Sequence, residues 1–356
     1  MTHGRKLASI QNVHSVLPID NADSLEKIGV LGWWVVAKKG ELKAGDSVVY
    51  IEIDSLLPER VPFEFLRKNC FKPARIDPTT GTAHPAGFRI KTIKLRGQIS
   101  QGICFPLSVL PEGATNEIGA DVTSDLEITK WEPPIPVGMG GRVLGPFPSF
   151  VPKTDEIRIQ AIPSVLTRHQ GKRFAVTEKL DGTSFTAFLR EGEFGVASRN
   201  LWLDLSDASS LYARMALELR IEEKLRRASE VLRADVALQG ELIGPGILKN
   251  KYGLRSVSLR VFNLLNINTG RLIDHAIAKP LLEELGLEGV PSLEPIVLDH
   301  SVDELVSLAE GKSVVNSNIQ REGIVLRPEV EEADDEIGGR LSFKIINPKF
   351  LLAFDE

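Results

Sequence analysis

Residues 176–185 read VTEKLDGTSF: a strand-like run ending in Lys179, an Asp-Gly pair, and then a second β-prone run. Asp-Gly between alternating apolar residues is the strongest short-range hairpin signal in a sequence, because both residues tolerate the positive φ that tight turns need. The stretch therefore implies antiparallel β-structure here. It leaves one question: Lys179 is either a solvated strand-end lysine or a nucleophile presented by the turn.

Working outward, further strands are expected in FAVTEKL, SFTAFLREGEFGVASRN, DVALQGELIG, SLRVFNLLNI, REGIVLRP and LSFKIINP. Helices fall between them, over about 205–233, 277–286 and 302–310. The last opens with SVDE, a capping box from Ser301 to Glu304. Just upstream of the hairpin, TDEIRIQAIPSVLTRHQG reads as an amphipathic segment that Thr154 or Asp155 would cap as a helix and Pro163 would bend or divide. EPPIPVGMGGRVLGPFPSFVPK (132–153) is crowded with proline and glycine and reads as a linker. Before it, short β-rich segments with regular turn signals suggest a small OB-like barrel. Trp33 and Trp34 are adjacent and point to opposite faces of a strand, so at least one belongs to the core. The expectation is an α+β chain: residues 1–130 an OB-like β-barrel, 131–150 a linker, and 151–356 a domain of antiparallel sheets with flanking helices.

Composition narrows the function. At 356 residues the chain is too long for a single core, in keeping with two domains. No apolar run approaches the ~20 residues of a membrane span, and the N-terminus lacks the apolar stretch of a signal peptide, so a cytoplasmic protein with no membrane partner is expected. Cys70 and Cys104 lack metal-site or disulfide-framework spacing and read as buried, reduced thiols. The formal charge of −5 argues against indiscriminate coating of nucleic acid. Locally, nine lysines and arginines between Arg60 and Arg96 face only Glu64 and Asp77. That run is either a solvated face or a nucleic-acid surface, with Arg89, Lys91, Lys94 and Arg96 as its first candidates. The acidic stretch PEVEEADDEIGG reads as a solvated hairpin loop.

Alone, K-x-D-G is a weak signal. Behind it, in order and each on an expected strand, come Arg199, Glu241, Phe262, Glu322 and Lys344. This set resembles the covalent nucleotidyltransferase superfamily of ATP-dependent polynucleotide ligases and mRNA capping enzymes, from about residue 146 to the end. The resemblance implies a ligase-type nucleotidyltransferase domain in which Lys179 attacks the α-phosphate of ATP, releases pyrophosphate and retains AMP as a phosphoramidate. It implies ATP and Mg²⁺ or Mn²⁺ as cofactors, with Glu178, Asp181 and Gly182 beside the nucleotide and Arg199 on its sugar-phosphate. Glu241 would take the ribose hydroxyl, Phe262 the adenine face, Glu322 the metal or its water shell, and Lys344 the α-phosphate. An ammonium of ordinary pKa costs about 4.6 kcal/mol to deprotonate at pH 7, so Lys344, the metal and pocket arginines are expected to depress the pKa of Lys179. One position departs from the pattern: many relatives carry a second lysine where this chain has Ile346, and Lys349 could return to the site only through a turn at Asn347-Pro348.

The sequence ends at Glu356, shortly after Lys344, so no C-terminal OB domain is expected, and the candidate OB module precedes the catalytic part instead. That order resembles RNA-repair ligases with an N-terminal OB module. It implies sealing of 3′-OH/5′-phosphate nicks in duplex nucleic acid with RNA on the 3′-OH side, on nicked duplex RNA or an RNA/DNA hybrid, by a monomer. Two alternatives stay open: a DNA or tRNA-splicing ligase with the same lysyl-AMP chemistry, and a non-catalytic RNA-binding protein with a degenerate ligase domain.

Overall fold

The computed structural model describes residues 5–76, 81–132 and 141–354. Near the N-terminus, apolar residues alternate along Trp33–Lys38, burying Trp33 and Val35, and the longer strand Ala8–Pro18 buries Ala8, Ile10 and Val13. That period of two places these strands in an antiparallel five-stranded sheet, ordered Ile103–Pro106, Ser47–Ile51, Ala8–Pro18, Leu25–Val30, Trp33–Lys38. Four short strands, Thr129–Lys130, Ser55–Leu57, Gly87–Arg89 and Phe71–Lys72, form a second sheet, and Tyr50, Phe63 and Phe88 fill the shared core. Trp33 is buried, whereas Trp34 lies at the surface and donates from Nε1 to Asp303 (3.1 Å) in the other half of the chain. Cys70 and Cys104 are free, but only half-buried.

Beyond the linker two sheets dominate. A seven-stranded antiparallel sheet runs Val143–Pro146, Leu201–Leu203, Glu193–Ala197, Thr183–Arg190, Val236–Ile243, Ser258–Asn266, Arg271–Leu272. A five-stranded sheet runs Ile157–Arg158, Phe343–Ile346, Gly323–Pro328, Arg173–Lys179, Ser292–Val297. Helices Leu211–Glu218, Ile221–Leu232 and His275–Glu284 seal the outer face of the first through Met215, Leu225 and Leu281. Helix Val302–Ala309 packs Leu305 and Ala309 against the second, with its Ser301–Glu304 capping box formed. No helix among the described residues is long and apolar enough to cross a membrane.

Four local expectations are corrected. The segment read as a linker lies partly in 133–140, outside the described residues, but Val143–Pro146 is an edge strand paired with Leu201–Leu203. Thr154 and Asp155 cap no helix: the chain there forms strand Ile157–Arg158, a 3₁₀ turn and a short helix, Ser164–Arg168, which begins just after Pro163. The single helix expected over 205–233 is two, broken where Arg220 takes a left-handed φ of 52°. The acidic hairpin is pinned rather than solvated: Glu329 meets Arg173 (2.6 Å), Glu332 meets Lys172 (2.5 Å), and Asp334 meets His169 (2.7 Å) as well as Arg168.

The two halves are packed together. Gly32 donates its amide to the Gln160 carbonyl (2.8 Å), Arg158 reaches Asp54 (2.9 Å), and Ile346 and Leu351 are built into the N-terminal core.

Candidate active site

Strand parity builds the site. Along Arg173–Lys179, Phe174, Val176 and Glu178 face one side of the five-stranded sheet and Ala175, Thr177 and Lys179 the other. Residues paired directly across an antiparallel ladder share a face, so Gly323, Val325 and Arg327 lie with Lys179, Thr177 and Ala175, and Lys344, opposite Val325, joins them. Ile157–Arg158 pairs in parallel with Phe343–Lys344, which sets Arg158 beside Lys344. Lys179, Lys344 and Arg158 therefore project from one face. Glu241 comes from the seven-stranded sheet, where it pairs with Ser184 just beyond the Asp181-Gly182 turn. That turn is not the hairpin expected: the strands on either side of it, Arg173–Lys179 and Thr183–Arg190, belong to different sheets, so the turn carries the chain from one sheet to the other.

The Lys179 ammonium donates to Glu322 Oε1 at 2.6 Å. Burial works against its charge, but Glu322, then Glu241 and Asp181, more than offset this and hold the amine above its ordinary pKa. This reverses the expected depression, because carboxylates surround the nucleophile and the cations gather on Lys344 instead. Burial, then Lys179, Arg158 and Arg5, bring Lys344 down to about 7. Burial pushes Glu241 up to about 8 despite Lys179, with Glu322 and Asp181 adding to the effect.

Each remaining predicted residue has a definite place. Gly182 donates its amide to Glu241 Oε1 (3.0 Å), and a Cβ there would sit 2.2 Å from the Leu242 carbonyl oxygen. Its role is thus close approach to the neighbouring strand, not a positive φ. The Asp181 amide donates to Tyr252 Oη (2.8 Å), and the Asp181 carboxylate pairs with Lys251. Arg199 stands at the rim on Asp155 (2.7 Å). Phe262 contributes its carbonyl to Arg327 (3.0 Å), whose guanidinium lies 5.9 Å from the Phe262 ring; Arg327 pairs with Ala175, four residues before Lys179. Glu178 faces away from Lys179, and its Oε2 accepts from the Val314 amide (2.8 Å). Ile346 is 3% exposed and plugs into the N-terminal core, while Lys349 turns outward to Glu310 (2.5 Å) and does not replace the missing lysine.

Arg158 was not singled out from the sequence. It is buried, and besides the bond to Asp54 its Nε and Nη1 find no partner among the described residues. A buried guanidinium with two unmet donors beside Lys344 suits an anion with several oxygens. Its signal was present as an arginine between isoleucines in EIRIQ, costly unless partnered.

The four basic candidates of the N-terminal half lie on more than one element. Lys94 and Arg96 sit on an exposed hairpin, Ile93–Leu95 with Gln98–Ser100. Lys91 is half-buried beside it. Arg89 lies 5.6 Å from the Trp131 ring, which Lys72 (5.8 Å) and Arg75 (5.5 Å) also approach.

A family model described as RNA ligase matches residues 172–346, and an OB-fold domain model matches residues 7–107. Among solved structures the chain is similar to an RNA ligase of Naegleria gruberi with pyrophosphate, at 34% identity and a TM-score of 0.85, over 98% of this chain and 99% of that one. It is similar to a mutant of that ligase with ATP and Mn, at 34% identity and a TM-score of 0.87, over 99% of this chain and 100% of that one. A further mutant, with AMP and Mn, gives 35% identity and a TM-score of 0.85 over 98% and 99%. No curated protein matches.

Proposed function

The chain belongs to the RNA ligase family, and on that premise we propose that it uses ATP to seal 3′-OH/5′-phosphate nicks in duplex nucleic acid with RNA on the 3′-OH side. In the first step Lys179 Nζ, having lost a proton, attacks the α-phosphorus of ATP; a P–N bond forms, the bond to the pyrophosphate oxygen breaks, and pyrophosphate leaves. In the second, a 5′-phosphate oxygen attacks the same phosphorus, the P–N bond breaks and Lys179 regains its proton. In the third, the 3′-hydroxyl oxygen attacks the phosphorus of the adenylylated 5′-phosphate and gives up its proton to water; the new P–O bond completes the phosphodiester as the P–O bond to AMP breaks and AMP leaves.

The observation that carries this reading is the ion pair of Lys179 with Glu322, on the sheet face from which Lys344 and Arg158 also project. Lys344 and Arg158 hold the triphosphate and offset charge developing on the transferred phosphoryl group. Glu241 fixes the turn through Gly182 and keeps a second oxygen for the ribose. Phe262, with Arg327 beside it, supplies an apolar wall for the base, and Arg199 meets the sugar-phosphate at the rim. The donor set fits Mg²⁺ or Mn²⁺: Glu322 Oε2 is buried without a partner among the described residues, and such hard cations are held by one or two carboxylates with waters and substrate phosphates rather than by an all-protein cage. A divalent cation bound there supplies Lewis-acid stabilisation of the phosphoryl oxygens. Glu322 would hold such a cation through Oε2, and its Oε1 is placed to accept the proton shared with Lys179. The OB module, which carries Arg89, Lys91, Lys94 and Arg96, would take the phosphates of the nicked duplex.

Incubation with α-labelled ATP and a divalent cation tests this directly. Wild type is expected to take a covalent label that Lys179→Ala abolishes, and the labelled protein is expected to seal nicks carrying an RNA 3′-OH strand in preference to DNA. A wild type that stays unlabelled overturns the proposal; equal sealing of both strands overturns its substrate.

A further inference from the structure

Asp181, two residues after Lys179, is gripped at two points by one loop: Tyr252 Oη accepts its amide proton, and Lys251 pairs with its carboxylate. Both charged groups are withdrawn from water, at 8% exposure for the Lys251 side chain and 13% for that of Asp181. The loop reaches this position at a conformational cost, since Leu248, Lys249 and Asn250 have successive φ values of 39°, 61° and 50°. Non-glycine residues persist in that region only where their surroundings over-determine them. Here Asn250 bonds both the amide and the carbonyl of Leu254 (3.0 and 2.8 Å), and Asn316 bonds the Tyr252 carbonyl (3.0 Å).

The other side of Lys251 belongs to the C-terminal helix, Pro348–Phe354. Its Nζ lies 4.9 Å from the Phe350 ring centroid and 4.6 Å from that of Phe354. Two aromatic rings attract the buried ammonium through their negative faces and hold it in place. The same helix is tied to the opposite side of the nucleophile, because Asn347, just before it, donates its amide to the Glu322 carbonyl (2.8 Å). The contacts therefore close a circuit: Lys179 to Glu322, through Asn347 to the C-terminal helix, through its phenyl rings to Lys251, and through Asp181 back to Lys179.

We infer that Lys251 is a positioning residue for the adenylylation of Lys179, and that the C-terminal helix, by seating Lys251, is part of the apparatus that aims the nucleophile. The inference rests on the lysyl-AMP reading and adds to it a residue some 70 positions from the K-x-D-G turn. Lys251 acts through Asp181: it sets where the turn, and hence Lys179, stands when the α-phosphate arrives, and binding of ATP does not depend on it.

Single-turnover labelling of the full chain with α-labelled ATP separates the rate constant from ATP half-saturation. Lys251→Met keeps the stem and removes the charge; it is expected to lower the rate constant by about ten- to hundredfold and leave half-saturation within about twofold. Lys251→Arg keeps both the charge and the aromatic contacts and is expected to recover the rate to within about threefold. Phe354→Leu, at the less buried end of the helix, is expected to lower it by about threefold, and it stands in if Lys251→Met does not fold. The inference is overturned if Lys251→Met, or Phe354→Leu in its place, labels at the wild-type rate. It is equally overturned if rate, ATP affinity and melting temperature fall together in Lys251→Met with no recovery in Lys251→Arg. A wild type that takes no label fails the lysyl-AMP reading instead, and the two failures are thereby distinguished.

Discussion

The sheet face that carries the site is lined by two walls of opposite sign, and a lysine stands at each. Lys179 is surrounded by Glu322, Glu241 and Asp181, which keep it charged. Lys344, on the same sheet face, is brought down to about 7 by burial and then by the charges of Lys179, Arg158 and Arg5. The same side chain thus titrates in opposite directions across one strand ladder. Placement accounts for the difference: the acidic wall is suited to a metal and a proton, the cationic wall to phosphates. The cationic wall is also shared between the two halves of the chain, since Arg158 is anchored on Asp54 of the N-terminal half.

The hardest way to break this contrast is to remove its cationic anchor. Arg158→Ala deletes the two unmet donors and leaves Asp54 without one of its guanidinium partners. Adenylylation at low ATP is expected to fall by about a hundredfold, read as kcat/KM for label incorporation. Asp54→Asn is expected to give a smaller loss of rate with a larger loss of stability, because it leaves a buried guanidinium uncompensated.

How much of this was legible beforehand differs between the walls. Lys179, Glu241 and Lys344 could be read because each is a costly residue on a strand, and Glu322 because it stands immediately before one; their order along the chain carries information that survives folding. Arg158 could not, since EIRIQAIPSVL has the amphipathic spacing of a helix, whereas the chain folds there as a two-residue strand, a 3₁₀ turn and a short helix. Ile346 was recognised as a departure, but its destination, the core of the other half, depends on a packing that no local pattern encodes. Lys251 and Tyr252 lie in a loop with no period, and their meeting with Asp181 spans some 70 residues. In the N-terminal half, the basic run was visible as composition only. Strands of two to four residues redirect its side chains every few positions, so Lys94 and Arg96 leave on a hairpin while Arg89 turns to Trp131.

A milder test sharpens the contrast through pH. With Lys344 titrating at about 7, its charge is present below neutrality and lost above it. A bound triphosphate favours the charged form, so affinity for a non-reactive ATP analogue is expected to hold steady up to about pH 7 and then to fall by up to about tenfold per unit. Lys344→Arg, which stays protonated throughout, is expected to flatten that fall. An affinity that rises with pH in wild type would mean that the acidic wall, not the cationic one, governs nucleotide capture.

The smallest effect expected concerns how far the cationic wall extends. Arg89 contributes to the charge felt by Asp54, and Lys130 and Arg199 lie close enough to repel one another, so positive charge runs from Lys344 outward over the short N-terminal sheet. Lys72 and Arg75 continue it around Trp131, whereas Lys94 and Arg96 stand apart on their hairpin. If a strand of the nicked duplex follows this tract, Lys72→Gln with Arg75→Gln should lower the slope of log affinity against log salt by about 1–2, as expected for losing one or two phosphate contacts. The pair Lys94→Gln with Arg96→Gln should change that slope by less. The reverse ranking would place the strand on the hairpin and confine the cationic wall to the nucleotide. Because neither pair touches the Lys179 circuit, label incorporation from ATP should be the same in both variants, so that any difference between them is read from the nucleic acid alone.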